Sequence, residues 1–152
     1  MQLQARAAQS IVSLTRAQGP AGIAMVSEHV TNKIRVSVRA TYIPEHSDPE
    51  EPLYVYAYRI RITNEGERAA KLIRRHWIIT DGLGQIEEVK GRGVVGQQPL
   101  IPPGESFEYT STCPLITQYG VMRGYYHMED ESGTPFEVEI SPFKLYIPAL
   151  SN

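Results

Sequence analysis

The sequence predicts an all-β fold, an antiparallel β-sandwich of about seven strands of the immunoglobulin or fibronectin type III kind. Three observations carry that expectation. Apolar and polar residues alternate with period two through seven segments from Asn32 onward. Turn signals such as Asn64-Glu65-Gly66 and Asp81-Gly82-Leu83-Gly84 separate those segments at short intervals. The lone tryptophan, Trp77, falls on the apolar phase of a middle segment, where such sandwiches bury one. A closed barrel would show the same alternation, because periodicity does not report closure.

In chain order, Ile34, Val36, Val38, Ala40 and Tyr42 alternate with Arg35, Ser37, Arg39 and Thr41, which describes a strand with one wet face. A loop rich in proline and acidic residues spans 44–52. The next strand aligns Tyr54, Tyr56, Tyr58, Ile60 and Ile62 on one side. Residues 70–80 place Ile73, Trp77 and Ile79 together, and 85–90 return after the Asp81–Gly84 hairpin. Phe107, Tyr109, Ser111 and Cys113 then share a face, followed by Met122, Gly124, Tyr126 and Met128. The last segment aligns Phe136, Val138 and Ile140 and is expected to continue past Pro142 to Tyr146.

The 152 residues fit one domain with an ordinary core, at 41% hydrophobic and 21% charged. A net charge of -2 argues against a polycationic nucleic-acid binder. No apolar run approaches the roughly 18 to 20 residues of a helical membrane span, so insertion in a membrane is not expected. One cysteine cannot form an internal disulfide, which points to a reducing, cytoplasmic setting. Residues 1–24 differ from the rest, with Leu3, Ala7, Ile11 and Leu14 at helical spacing, Arg6 and Arg16, and no acid. They are expected to form a disordered extension, or to precede a start at Met25. The folded domain is placed at 25–152.

The stretch KGRGVVGQQPLIPPGE contains Gly-x-Gly-x-x-Gly at Gly91, Gly93 and Gly96. A dinucleotide loop of this form needs a helix starting inside it, whose amides and dipole meet the pyrophosphate. Pro99, Pro102 and Pro103 exclude such a helix, and no acid falls near Ile116 to hold a ribose. Two readings remain. The glycines shape the backbone, as at a bulge, or Gly91, Arg92, Gly93, Val94, Val95 and Gly96 form an anion-holding nest of amides. The second would take a phosphate-containing small molecule.

His127 and Glu129 share one face of a strand and are candidate metal ligands, although a structural site needs three or four converging groups. Cys113 sits on an apolar phase and reads as a buried hydrophobe, not a nucleophile. Arg74 and Arg75 are expected to pair with acids on neighbouring strands. No catalytic set is apparent, and no cofactor is implied.

Four linked signatures together resemble the bacterial ApaG family. They are Arg75-His76-Trp77 followed by Thr80-Asp81-Gly82, the glycine motif followed by Pro99, the run from Pro103 to Leu115 (PGESFEYTSTCPL), and Gly-x-Met-x-Gly-x-Tyr-x-Met from Gly120 to Met128. The resemblance spans Asn32 to Pro148. It implies a fibronectin type III-like sandwich without established catalysis, in a family linked to cobalt sensitivity and magnesium efflux. Related domains in eukaryotic F-box proteins and a polymerase delta-interacting protein look like protein-interaction modules. It therefore implies a non-enzymatic, protein-binding chain that affects divalent cations indirectly. Exposed sheet edges leave room for strand addition or a homodimer.

Overall fold

The computed structural model describes residues 25–148, so the expectation for residues 1–24 lies outside the described residues. Nine strands follow one another: β1 (Met25–Thr31), β2 (Ile34–Tyr42), β3 (Tyr54–Asn64), β4 (Ala70–Asp81), β5 (Ile86–Arg92), β6 (Leu100–Ile101), β7 (Ser106–Leu115), β8 (Tyr119–Asp130) and β9 (Pro135–Tyr146). One sheet has the order β1-β2-β3-β7, and the other β5-β4-β8-β9 with β6 pairing β4. All pairings are antiparallel. The inner residues of the two sheets form one core, including Val36, Tyr58, Ile60, Trp77, Tyr126 and Leu145. This is the predicted sandwich, with two strands added to the seven.

Those two additions share a physical reason. No residue from Val26 to Thr31 is buried, so β1 has no apolar face for periodicity to reveal. It is held by its ladder to β2 and by side chains that reach β9: Ser27 Oγ donates to the Ser141 carbonyl at 3.3 Å, and Asn32 Nδ2 to that of Glu137 at 2.8 Å. Strand β6 is only two residues long and is fixed from outside itself. Asn64, 1% exposed, donates through Nδ2 to the carbonyls of Arg68 and Ile101 and accepts from the Gly66 amide. A buried amide side chain satisfied on both ends stabilises the turn it closes.

Periodicity also fails inside two strands, at bulges. Between Leu72 and Arg74 the β4–β8 register shifts, with one extra residue on β4. Ala70 and Leu72 face the core before the shift, and Trp77 and Ile79 after it. Ile73, expected to lie beside Trp77, is instead only half-buried at the bulge. A second shift pairs Met122 with Phe143 but Gly124 with Ile140, so β9 carries the extra residue next to Pro142. A bulge tolerates the missing N–H of proline, which lets β9 run on to Tyr146.

The core is aromatic at its centre. Trp77 meets Tyr58 and Phe143 edge-on, with ring centroids 5.3 and 5.9 Å apart. The hydroxyls of Tyr109 and Tyr126 join the two sheets through a 2.5 Å hydrogen bond. Burial pushes both hydroxyls well above the ordinary phenol range. A phenol whose folded pKa is raised contributes stability that is intact below the unfolded value near 10 and lost above it, because only the unfolded chain then releases its proton. Denaturant titrations from pH 9 to 12 should therefore show stability falling above pH ~10, by about 1.4 kcal/mol per pH unit for each such tyrosine. Replacing Tyr109 with Phe should make that fall shallower.

Candidate functional site

The glycine loop follows directly from the β4 bulge. The irregularity turns the Ile73 carbonyl away from the β8 ladder, and it accepts from the Gly93 amide at 2.8 Å and from Gln98 Nε2 at 3.0 Å. Val94 and Gln97 then exchange both backbone hydrogen bonds at 2.8 Å, closing a two-residue turn over Val95 and Gly96. Both turn residues have positive φ, 44° and 76°, which matches a type I′ hairpin and is unusual for a β-branched residue. Val94 is 1% exposed and anchors the loop in the core. Leu100–Ile101 follows as β6, with no helix between.

Arg75 lies across this loop. Its Nη1 donates to the carbonyls of Arg92 at 3.1 Å and Gly93 at 2.9 Å, and its guanidinium packs where a Cβ on Gly91 would stand. The expected pairing of Arg74 and Arg75 with carboxylates is corrected here: neither forms an ion pair among the described residues, and Arg75 serves backbone oxygens instead. In register, Arg74 stands beside Arg92 and His127. Of the loop's candidate anion groups, the amides of Gly93 and Val94 already have carbonyl partners, and Arg92 reaches Gln98 Oε1 at 3.3 Å.

His127 and Glu129 lie on the outer face of β8 with the expected alternation. His127 Nδ1 is 3.4 Å from Glu137 Oε2 on β9. Among the described residues no three His, Cys, Asp or Glu side chains converge as a metal site would require. Cys113 is fully buried, as its phase indicates.

What the sequence did not reveal is a groove between two sheet edges. Strand β5 ends one sheet and β7 the other. Between them lies an open groove of about 390 Å³ lined by Ile79, Asp81, Gln85, Ile86 and Glu87 on one side and Pro114, Leu115 and Ile116 on the other. Ile86 is 65% exposed and Ile116 38%, and Leu83 and Tyr119 are exposed as well. The Glu87 carboxyl is raised by partial burial there. On the opposite flank β1 also exposes apolar side chains, Val26 and Val30, but side-chain hydrogen bonds from Ser27 and Asn32 tie that flank to β9. The signal available beforehand was the outward phase of Ile86, which the charges around it obscure.

Comparison with known proteins agrees with this architecture. Residues 44–130 match the family model described as the ApaG domain. The ApaG protein of Bordetella pertussis is 58% identical over 115 residues, covering 76% of this chain and 88% of that protein. The ApaG protein of Paramagnetospirillum magneticum is 49% identical over 118 residues, covering 78% and 91%. A crystal structure of the ApaA protein from Bordetella pertussis superposes with a TM-score of 0.74 at 55% identity, over 81% of this chain and 97% of that one. With sequence signatures, fold and relatives in agreement over most of its length, this chain belongs to the ApaG family.

Proposed function

We propose that the chain is a non-enzymatic interaction module that binds an extended segment of a cytoplasmic protein partner by adding it to the free edge of β5. One observation carries the reading: an unpaired sheet edge and a groove with an apolar floor and a polar rim of Asp81, Gln85 and Glu87 stand side by side, with Ile86 at the junction. A strand laid on β5 would satisfy main-chain donors and acceptors, and its inward side chains would enter the groove. The charged residues Glu88, Lys90 and Arg92 on the outer face of β5 disfavour pairing with a second, identical edge. They leave β5 open to a partner with complementary charges.

In this reading the influence on cobalt and magnesium implied by the family resemblance runs through the partner. The test is a capture experiment with the full chain and an Ile86→Lys variant, followed by cobalt-tolerance assays on cells carrying each. Ile86 is exposed, so the variant should fold normally. It should lose the captured partner and the tolerance together. Equal capture by both chains, or steady turnover of a nucleotide or phosphoester by metal-free protein, would defeat the reading.

A further inference from the structure

We infer that the outer face of the β1-β2-β3-β7 sheet is a second interaction surface, shaped for an extended acidic peptide with carboxylates at alternate positions. This goes beyond the β5 edge, which lies on the other sheet. Register places Val26, Arg39, Arg59 and Thr110 in one row across the four strands, and Glu28, Ser37, Arg61 and Glu108 in the next. Arg35 lies one step further, held by Glu28 at 3.2 Å and Glu65 at 2.6 Å. Arg59 Nη2 binds Glu108 at 2.7 Å, and Arg61 Nε lies 3.5 Å from the same carboxylate. Arg39 is exposed, stands directly across the ladder from Arg59, and forms no ion pair among the described residues.

Like charges opposed across a ladder repel, so Arg39 beside Arg59 weakens the empty sheet and favours an incoming anion. Spacing indicates which anion. Arg39 and Arg59 stand on strands roughly 4.8 Å apart, close enough for two guanidinium forks to grip one oxyanion. Arg61 lies two residues along from Arg59, roughly 7 Å away, the distance between alternate side chains of an extended peptide. One carboxylate at Arg39 and Arg59 and a second at Arg61 therefore match a Glu-x-Glu strand, whereas a lone phosphate fills one corner.

Single-stranded nucleic acid offers a similar charge spacing, but among the described residues this face presents no aromatic ring on which bases could stack.

The experiment follows amide and arginine side-chain resonances of the full chain during titration. The probes are a hexapeptide with glutamate at alternate positions, its glutamine counterpart, inorganic phosphate and an oligodeoxythymidylate. The glutamate peptide should shift Arg39, Arg59, Arg61 and Thr110 and the glutamine peptide should not. Its affinity should fall by about tenfold or more between roughly 50 and 500 mM salt. Arg39→Glu should weaken it by about tenfold or more while leaving the melting temperature near that of the parent, because Arg39 forms no ion pair among the described residues. Arg39→Lys should retain part of the binding. Equal or tighter binding of phosphate or the oligonucleotide, self-association in place of peptide binding, or no shift at millimolar peptide would overturn the inference. The β5 reading is judged separately, by Ile86→Lys.

Discussion

Gly124→Ala is expected to destabilise the protein by about 4 kcal/mol or more, among the larger losses a single methyl group can cause. Gly124 sits in β8, between β4 and β9 in the middle of the five-stranded sheet, and pairs with Trp77. A Cβ there would stand 2.2 Å from the His76 carbonyl oxygen and 3.2 Å from the Trp77 Cα. These are backbone atoms of a paired strand, so no side-chain rotation relieves the overlap. Relief requires β4 to move off β8, which pulls Trp77 from its contacts with Tyr58 and Phe143. Thermal unfolding should show a midpoint lowered by on the order of 10 °C or more. Trp77, the lone tryptophan, reports locally through its fluorescence. A midpoint within a few degrees of the parent would mean that the β4–β8 pairing is far more pliable than its geometry indicates.

Gly124 also shows how far the sequence could be read. Its phase, between Met122 and Tyr126, places it on the inner face, and the structure puts it there. The wet-and-dry alternation of β2, β3, β7 and β8 was equally legible, because each buries most of one face. Strand β1 was not, because neither face is buried and its hold on the domain comes through β2 and through bonds to β9. The bulges were hidden for a different reason. A change of phase at Ile73 is dictated by the loop that needs its carbonyl, and that loop arrives about twenty residues later in the chain. The groove depends on Ile86 and Ile116 meeting across two sheets, a proximity that local pattern does not encode. The three prolines, in contrast, spoke plainly: the chain after Gly96 forms a turn and a short strand, not a helix.

The division of labour inside the glycine motif leads to the second large effect. Gly93→Ala should cost about 3 kcal/mol or more, and Gly96→Ala only about 1 kcal/mol. Both residues have positive φ, 65° and 76°, so both substitutions bear the left-handed strain of a side chain. Only at Gly93 is there also no room. A Cβ would lie 2.1 Å from the Gln97 carbonyl oxygen, whereas nothing stands within 4 Å of one at Gly96. That oxygen accepts from Val94, so opening the turn to make space breaks the paired bonds and releases Val94 from the core. Urea unfolding of the two variants measures the difference directly. A loop whose glycines exist to close a turn against the Ile73 carbonyl ranks the variants by crowding, with Gly93 far ahead. A loop kept open for an anion would instead yield small, similar stability losses and similar losses of bound phosphate in both. Near-equal urea midpoints would therefore reject the turn-closing role, and a wide gap would place the motif's demand for glycine in the packing of β4 against its loop.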